Sequence, residues 1–118
     1  MGRKVVNAVI DGTHLGNEDH GIMTACVYLD YGGIHQGFGG YSLDTYEQKD
    51  KRRVGTAYGM EFIVRILKTV GVSKWEDLKG RHIRVDQEHN KIHGIGHIIN
   101  DVWFYPEKDL EYLVDQTK

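Results

Sequence analysis

The sequence predicts an α+β fold in which antiparallel β-sheet units pack on one main helix and a short C-terminal helix follows. Segments of alternating apolar and polar residues lie on both sides of one segment whose apolar residues recur at helical spacing. The regular strand–helix alternation that would indicate a parallel sheet is missing. The 118 residues, 40% of them hydrophobic, are enough to bury one core, so we expect a single domain over residues 1–118.

The first half of the chain predicts three strands, over residues 5–10, 22–29 and 35–43. In the second, every other residue from Met23 to Leu29 is apolar, which is typical of a strand with one buried face. The segment 42–54 is polar and is expected to be a surface connection or the frayed start of a helix. Three glycines in the third strand indicate a bulge or a surface that another group approaches closely: Gly37, Gly39 and Gly40.

The main helix is predicted around residues 60–70, followed by Gly71 where a left-handed C-terminal cap belongs. Ser73 and Glu76 match a capping box, which predicts a short helical turn over residues 74–78 with Trp75 anchoring it to the core. The apolar residues at helical spacing that predict the main helix are Met60, Ile63, Leu67 and Val70.

The second half predicts a further hairpin, with strands over residues 81–86 and 91–99. Ile83 and Val85 are expected to face inward, and the residues that alternate with them outward. Pro106 suits the first position of a short C-terminal helix whose apolar stripe contains Leu110 and Leu113.

The composition argues against several kinds of partner. The formal net charge is only −2, and we expect no DNA or RNA partner because such proteins carry a strong positive field. No segment reaches the roughly 20 apolar residues of a membrane span, and the first ten residues lack the apolar run of a signal peptide. Cys26 is the only cysteine, which is typical of a reducing compartment. We therefore expect a cytoplasmic protein without a membrane partner.

The histidines are candidate metal ligands, but their spacing does not favour a metal site. His93 and His97 would share one face of a helix, yet Gly94 and Gly96 argue against a helix there. On a strand the two histidines would lie about 13 Å apart, too far for one metal ion. We expect no metal, no cofactor and no catalytic residue. Hydrogen-bonding roles explain the seven histidines without a ligand: His14, His20, His35, His82, His89, His93 and His97.

The start of the main helix is a candidate anion site. Arg53 precedes Gly55 and Thr56, which places a basic side chain and a hydroxyl beside the free backbone N–H groups of a helix N-terminus. The pattern matches neither the P-loop nor the dinucleotide fingerprint. The alternative is that Thr56 is an ordinary helix cap beside a solvated charge run.

Aromatic residues in or beside predicted loops are candidates for stacking on a nucleobase, although core packing would explain them equally well. These residues are Tyr31, Phe38, Tyr41, Trp103, Phe104 and Tyr105.

Four strings together resemble a known family: LGNEDHGIMTACVYL (15–29), QGFGGYSL (36–43), GTAYGMEFIVRI (55–66) and RHIRVDQEHNKIHGIGHIINDVWF (81–104). They resemble small phage proteins that counter the bacterial Thoeris defence as nucleotide sponges. Members of this family sequester the cyclic ADP-ribose isomers that TIR-domain enzymes make. The resemblance covers most of the chain.

The resemblance implies a homo-oligomer, a dimer that can assemble into a hexamer, which encloses glycosyl-cyclic ADP-ribose without degrading it. It also implies a second site for cyclic di- or trinucleotides. We expect the second, anion-binding site at Arg53, Gly55 and Thr56, the last two of which lie within a matching string. By their chemistry, the residues expected around the ADP-ribose signal are Phe38, Gly39, Arg84, Asn90, His93, Trp103 and Phe104.

Two other functions stay open at this point. A metal-dependent phosphodiesterase or hydrolase would use the His-rich strands and would need bound metal. An accessory or structural phage protein would only assemble with partners, and nucleotides would leave its thermal stability unchanged.

Overall fold

The computed structural model describes residues 2–117 and their side chains, apart from those of Asp19 and residues 115–117. Six strands form one curled antiparallel sheet in the order β3-β2-β1-β6-β7-β8, and β4 and β5 form a separate two-stranded ladder. The strands are β1 (Lys4–Asn17), β2 (Met23–Tyr31), β3 (Ile34–Ser42), β4 (Asp44–Glu47), β5 (Arg52–Gly55), β6 (His82–Glu88), β7 (Lys91–His97) and β8 (Trp103–Phe104). The helices are α1 (Ala57–Val70) and α2 (Pro106–Asp109), with 3-10 turns at Asp19–Gly21, Trp75–Asp77 and Glu111–Thr117. The predicted α+β class is confirmed.

Strand β1 joins the two halves of the sheet. Its first half pairs with β6, from Lys4 opposite Gln87 to Val9 opposite His82. Its second half pairs with β2 as far as Asn17 opposite Met23. The predicted strand over residues 5–10 was therefore too short, because glycines and polar residues hide the alternation beyond Ile10. The two predicted hairpin units consequently share one continuous sheet.

Strand β3 contains the predicted bulge. Cys26 pairs with Gly39 and Thr24 pairs with Ser42, so Ala25 alone lies opposite both Gly40 and Tyr41. Gly39 and Gly40 have φ angles of +112° and +82°, which L side chains rarely adopt. The extra residue turns Tyr41 toward the core, where its ring centroid lies 5.4 Å from that of Phe62.

The segment 42–54 forms strands, which corrects the prediction of a connection or frayed helix. Its two short strands pair from Asp44 opposite Gly55 to Glu47 opposite Arg52. None of the residues of this ladder is fully buried, so its sequence lacks the apolar alternation that identifies a strand with one buried face.

Helix α1 has the predicted Gly71 cap, and Thr56 caps its start, as the alternative to the anion site would have it. Thr56 precedes it in extended conformation and accepts a hydrogen bond from the Gly59 amide, and Gly71 closes it with φ 91°. Its core-facing side chains are Phe62, Ile66, Thr69 and Val70. Met60, predicted within the apolar stripe, is 62% exposed, so the buried face is rotated away from it.

In the second half of the sheet, the side chains predicted to face the core do so. Ile83 and Val85 are fully buried, and Leu110 and Leu113 of the C-terminal helical segment are also buried. Trp75 packs against the core and donates a 3.1 Å hydrogen bond to the Thr13 hydroxyl. The capping box is wrong, because the turn Trp75–Asp77 follows Lys74 and has no side-chain cap.

The contact between α1 and the segment before β4 predicts the effect of substituting Gly59. A Cβ atom on Gly59 would lie 2.2 Å from the Leu43 carbonyl oxygen, whereas one on Gly55 would meet nothing within 4 Å. Alanine favours a helix over glycine by about 1 kcal/mol, but overpacking against backbone costs about 1–3 kcal/mol or more. We expect Gly59→Ala to lower the free energy of unfolding in urea, with Gly55→Ala close to wild type. Stabilisation by Gly59→Ala would contradict the close approach of Leu43.

Candidate functional site

The ten predicted contact residues separate into the core, the outer face of the sheet and a hollow beside the start of α1. The structure brings together Arg84 and Trp103 on the outer face, and Arg53 and Thr56 at the hollow. It does not bring the ten into one pocket.

Phe38 and Phe104 belong to the core, and Gly39 lies beside Phe38 in the bulge. Phe38 is 2% exposed and Phe104 is fully buried, which leaves no ring surface for a ligand. A Cβ atom on Gly39 would lie 2.6 Å from the Ala25 carbonyl oxygen, so this glycine allows the strands to approach within the bulge. The burial of Phe38 and Phe104 thus indicates packing in place of the predicted ligand contact for these two rings.

Arg84 and Trp103 meet on the outer face above β7. The Arg84 guanidinium lies 4.9 Å from the centroid of the Trp103 ring. It also donates to the carbonyl oxygens of His97 and Asn100, at 2.7 and 2.8 Å. These bonds fasten the loop between β7 and β8, so Arg84 has a structural role whether or not it contacts a ligand.

The outer face continues with a second aromatic ring and a second arginine. The Tyr105 hydroxyl donates a 2.7 Å hydrogen bond to Asp86, and Arg3 donates two to the same carboxylate. The Tyr105 ring stacks near Trp103, with centroids 6.0 Å apart. We call Arg3, Arg84, Trp103 and Tyr105 the aromatic–arginine strip.

Two glycines of β7 make room for the rings of this strip. A Cβ atom on Gly94 would lie 2.6 Å from the Tyr105 ring, and one on Gly96 would lie equally close to the Trp103 ring. In the sequence these glycines indicated that the segment is not a helix. In the structure the absence of a side chain at each of them lets an aromatic ring pack directly against the strand.

The two remaining residues of the predicted ADP-ribose pocket lie near the far end of β7. His93 is 2.8 Å from the Glu88 carboxylate and lines a hollow of 470 Å³ with Arg3, Tyr105, Glu107 and Lys108. Asn90 is exposed in the turn between β6 and β7. His97 accepts backbone hydrogen bonds at Nδ1, so His93 and His97 serve separate local contacts.

A larger hollow lies between the end of β3, the β4–β5 ladder and the start of α1. We call it the Tyr41–Tyr58 hollow. Its volume of 530 Å³ falls within the roughly 300–1,000 Å³ of small-molecule pockets. Gly55, which was predicted with Arg53 and Thr56, pairs with Asp44 in the ladder and does not line it. The lining residues are Ile22, Tyr41, Ser42, Asp44, Thr45, Arg53, Thr56, Tyr58 and Val114.

The polar groups predicted to hold an anion are partly engaged within the protein. The Thr56 hydroxyl accepts from the Gly59 amide and donates to the Leu43 carbonyl. One Arg53 nitrogen donates to the Asp44 carboxylate at 2.9 Å, which lowers the pKa of Asp44. A guanidinium has five N–H donors, so Arg53 retains donors beyond this pair. Its Nε is buried without a partner among the described residues.

Two tyrosines give the hollow its aromatic surface. Tyr41 and Tyr58 are half-buried with ring centroids 6.4 Å apart, and burial raises the pKa of both hydroxyls. Neither hydroxyl donates to or accepts from another described residue. Sequence reasoning named Tyr41 only as a general aromatic candidate and missed Tyr58, whose signal was its place two residues after Thr56.

A neighbouring hollow extends this surface. It measures 670 Å³ and shares Ile22 and Ser42 with the Tyr41–Tyr58 hollow. His14 and Glu18 line its other side, and the His14 Nε2 atom is buried without a partner within the described part of the chain. Buried polar side-chain atoms usually have a hydrogen-bond partner.

Comparison with protein-family models, with curated proteins and with solved structures found no significant match. The resemblance to nucleotide sponges stays a prediction. Within residues 2–117, no helix combines the length and the apolar character needed to cross a membrane.

The buried Asp86 carboxylate, which accepts hydrogen bonds from Arg3 and Tyr105, predicts a pH dependence of stability. Arg3, and then Tyr105, hold the pKa of Asp86 below its usual value, whereas burial raises the pKa of Tyr105 to about 12. A carboxyl with a lowered folded-state pKa adds stability above its unfolded pKa of about 4, and this is lost as pH falls through the folded pKa.

We therefore expect Asp86→Asn to reduce the free energy of unfolding at neutral pH and to flatten its decline between about pH 5 and 3. Urea denaturation across this range measures both effects. Asp101→Asn, at an exposed position, serves as the control. An unchanged acid slope in Asp86→Asn would contradict the assignment.

Proposed function

We propose that this chain is a phage anti-defence protein that binds and sequesters a cyclic nucleotide immune signal of the glycosyl-cyclic ADP-ribose class without degrading it. The resemblance of four strings supports the class of ligand. The Tyr41–Tyr58 hollow is the site that we assign to it. Assembly into a dimer or hexamer belongs to the same proposal.

One observation carries the choice of site: two half-buried tyrosines line the same hollow as Arg53, whose Nε atom is buried without a partner among the described residues. The tyrosine hydroxyls can donate to phosphate oxygens and exchange hydrogen bonds with ribose hydroxyls. The rings offer surfaces on which any base can stack. The remaining Arg53 donors suit a diphosphate.

The electrostatics of the hollow favour binding over proton transfer. Asp44 accepts hydrogen bonds from Arg53, Ser42 and the Met23 amide, and the pKa of Asp44 is lowered by them. A general base works best with a pKa near the operating pH, so a carboxylate stabilised in this way is a weak base. The arrangement therefore supports a fixed receptor for a polar ligand.

The first test is a thermal-shift screen of the purified protein with cyclic ADP-ribose isomers and cyclic di- and trinucleotides, followed by mass spectrometry of the ligand released on heating. A ligand at 100 times its Kd stabilises by about 2.7 kcal/mol, which corresponds to a rise in Tm of about 10 °C. We expect such a rise with the ligand recovered intact.

Other outcomes favour the other functions. Recovery of a cleaved nucleotide, with loss of cleavage in chelator, would indicate a metal-dependent hydrolase. An unchanged Tm with every nucleotide would overturn the proposal in favour of a structural protein.

The second test locates the ligand. Removing both hydroxyls in Tyr41→Phe/Tyr58→Phe keeps the rings and should weaken binding about tenfold or more, since each hydrogen bond contributes about 0.5–1.5 kcal/mol. Tyr46→Phe is the matched control because Tyr46 is 48% exposed and does not line the hollow. Calorimetric titration with the ligand from the screen measures both variants. Wild-type affinity in the double variant would place the ligand elsewhere, with the aromatic–arginine strip as the next surface to substitute.

A further inference from the structure

Three metal-ligating side chains meet on the outer face of the sheet, where β1, β2 and β3 run side by side. Asp30 of β2 lies directly opposite His35 of β3. Asp11 of β1 sits in an irregularity between Ile10 and Gly12, where the register with β2 shifts by one residue. This bulge places an additional side chain beside the Asp30–His35 pair.

The distances between their ligand atoms suit one metal ion. One oxygen from each aspartate and one nitrogen from His35 all lie within 4.8 Å of one another. The His35 Nδ1 and Asp11 Oδ2 atoms are 3.3 Å apart. Two ligands at about 2.0–2.1 Å from a tetrahedral ion are separated by about 3.3 Å, so this pair already has the required spacing.

The charge of the cluster also favours a cation. Two carboxylates lie close together, and among the described residues no lysine or arginine forms an ion pair with either of them. The Asp30 carboxylate accepts one hydrogen bond from the Gly33 amide, through Oδ1, and keeps its second oxygen. A divalent ion would offset the repulsion between the carboxylates.

We propose that Asp11, Asp30 and His35 form a binding site for a divalent transition-metal ion of the Zn²⁺ class. One imidazole and two carboxylates make a borderline donor set, which suits zinc better than calcium or magnesium. The side chains of His35 and Asp11 are 64% and 41% exposed, so the remaining coordination positions face solvent. Water, or a donor from another molecule, would complete them.

This site is separate from the Tyr41–Tyr58 hollow. His35 and Tyr41 are six residues apart on β3, which at about 3.3 Å per residue is roughly 20 Å. An ion held at His35 is therefore too distant to act on a ligand in the hollow. The metal proposal consequently stands or falls independently of the proposed nucleotide binding.

The test is calorimetric titration of the full chain with Zn²⁺ in a buffer free of chelators and nucleotides. We expect one ion per chain, and a Tm that rises with Zn²⁺ concentration. His35→Ala and Asp30→Asn should each bind Zn²⁺ at least about tenfold more weakly, because one of three protein ligands is lost. These positions lie on the outer face, and urea denaturation verifies that both variants fold.

Matched controls are His89→Ala and Asp101→Asn, which change the same residue types at exposed positions outside the cluster. Both should keep the wild-type affinity. Absence of saturable Zn²⁺ binding by the wild-type chain would overturn the proposal. Unchanged affinity in folded His35→Ala, or an equal loss in His89→Ala, would also overturn it.

Discussion

The burial of Phe62 between Phe38 and Phe104 is the contact on which the rest of the structure depends. The three rings come from α1, β3 and β8, and their centroids lie 5.7–6.1 Å apart. Each buried side chain contributes about 2–3 kcal/mol, and paired rings add about 0.5–1.5 kcal/mol. The cluster holds the helix inside the curl of the sheet.

Both candidate surfaces follow from this cluster. Because Phe104 faces the core, the residues on either side of it, Trp103 and Tyr105, face the outer surface, where the two β7 glycines receive their rings. Because Phe62 fixes α1, Tyr58 at the start of the helix is placed beside Tyr41 at the end of β3. Phe38 and Phe104, which were predicted to contact a ligand, are buried by this packing. The same packing positions other aromatic residues where a ligand can reach them.

Short sequence patterns predicted those features of the molecule that depend on residues a few positions apart. Gly71 caps α1 as expected, Thr56 caps it as the alternative to the anion site had it, and Ile83 and Val85 face inward. Each of these features depends on residues a few positions away. Register is decided by long-range pairing, and the sequence contains no comparable signal for it. Each of the bulges at Asp11 and at Gly40–Tyr41 changes the side of the sheet to which one side chain points. As a result Tyr41 points inward and Asp11 lies beside His35. Asp11, which sequence reasoning missed as a binding candidate, lies at one of these shifts.

The sharing of β1 between the two hairpins sets an order for folding during synthesis. The β1–β2–β3 meander pairs neighbouring segments, but the pairing of Lys4–Val9 with β6 spans about 80 residues of chain. At about 5–20 residues per second, His82 is made roughly 4 to 16 s after Lys4. Throughout that interval the first half of β1 is an open strand edge that contains Val5, Val6 and Val9, the kind of template that pairs with other chains. The first half of β1, which joins the two halves of the finished sheet, is therefore the segment most prone to aggregation before β6 pairs with it.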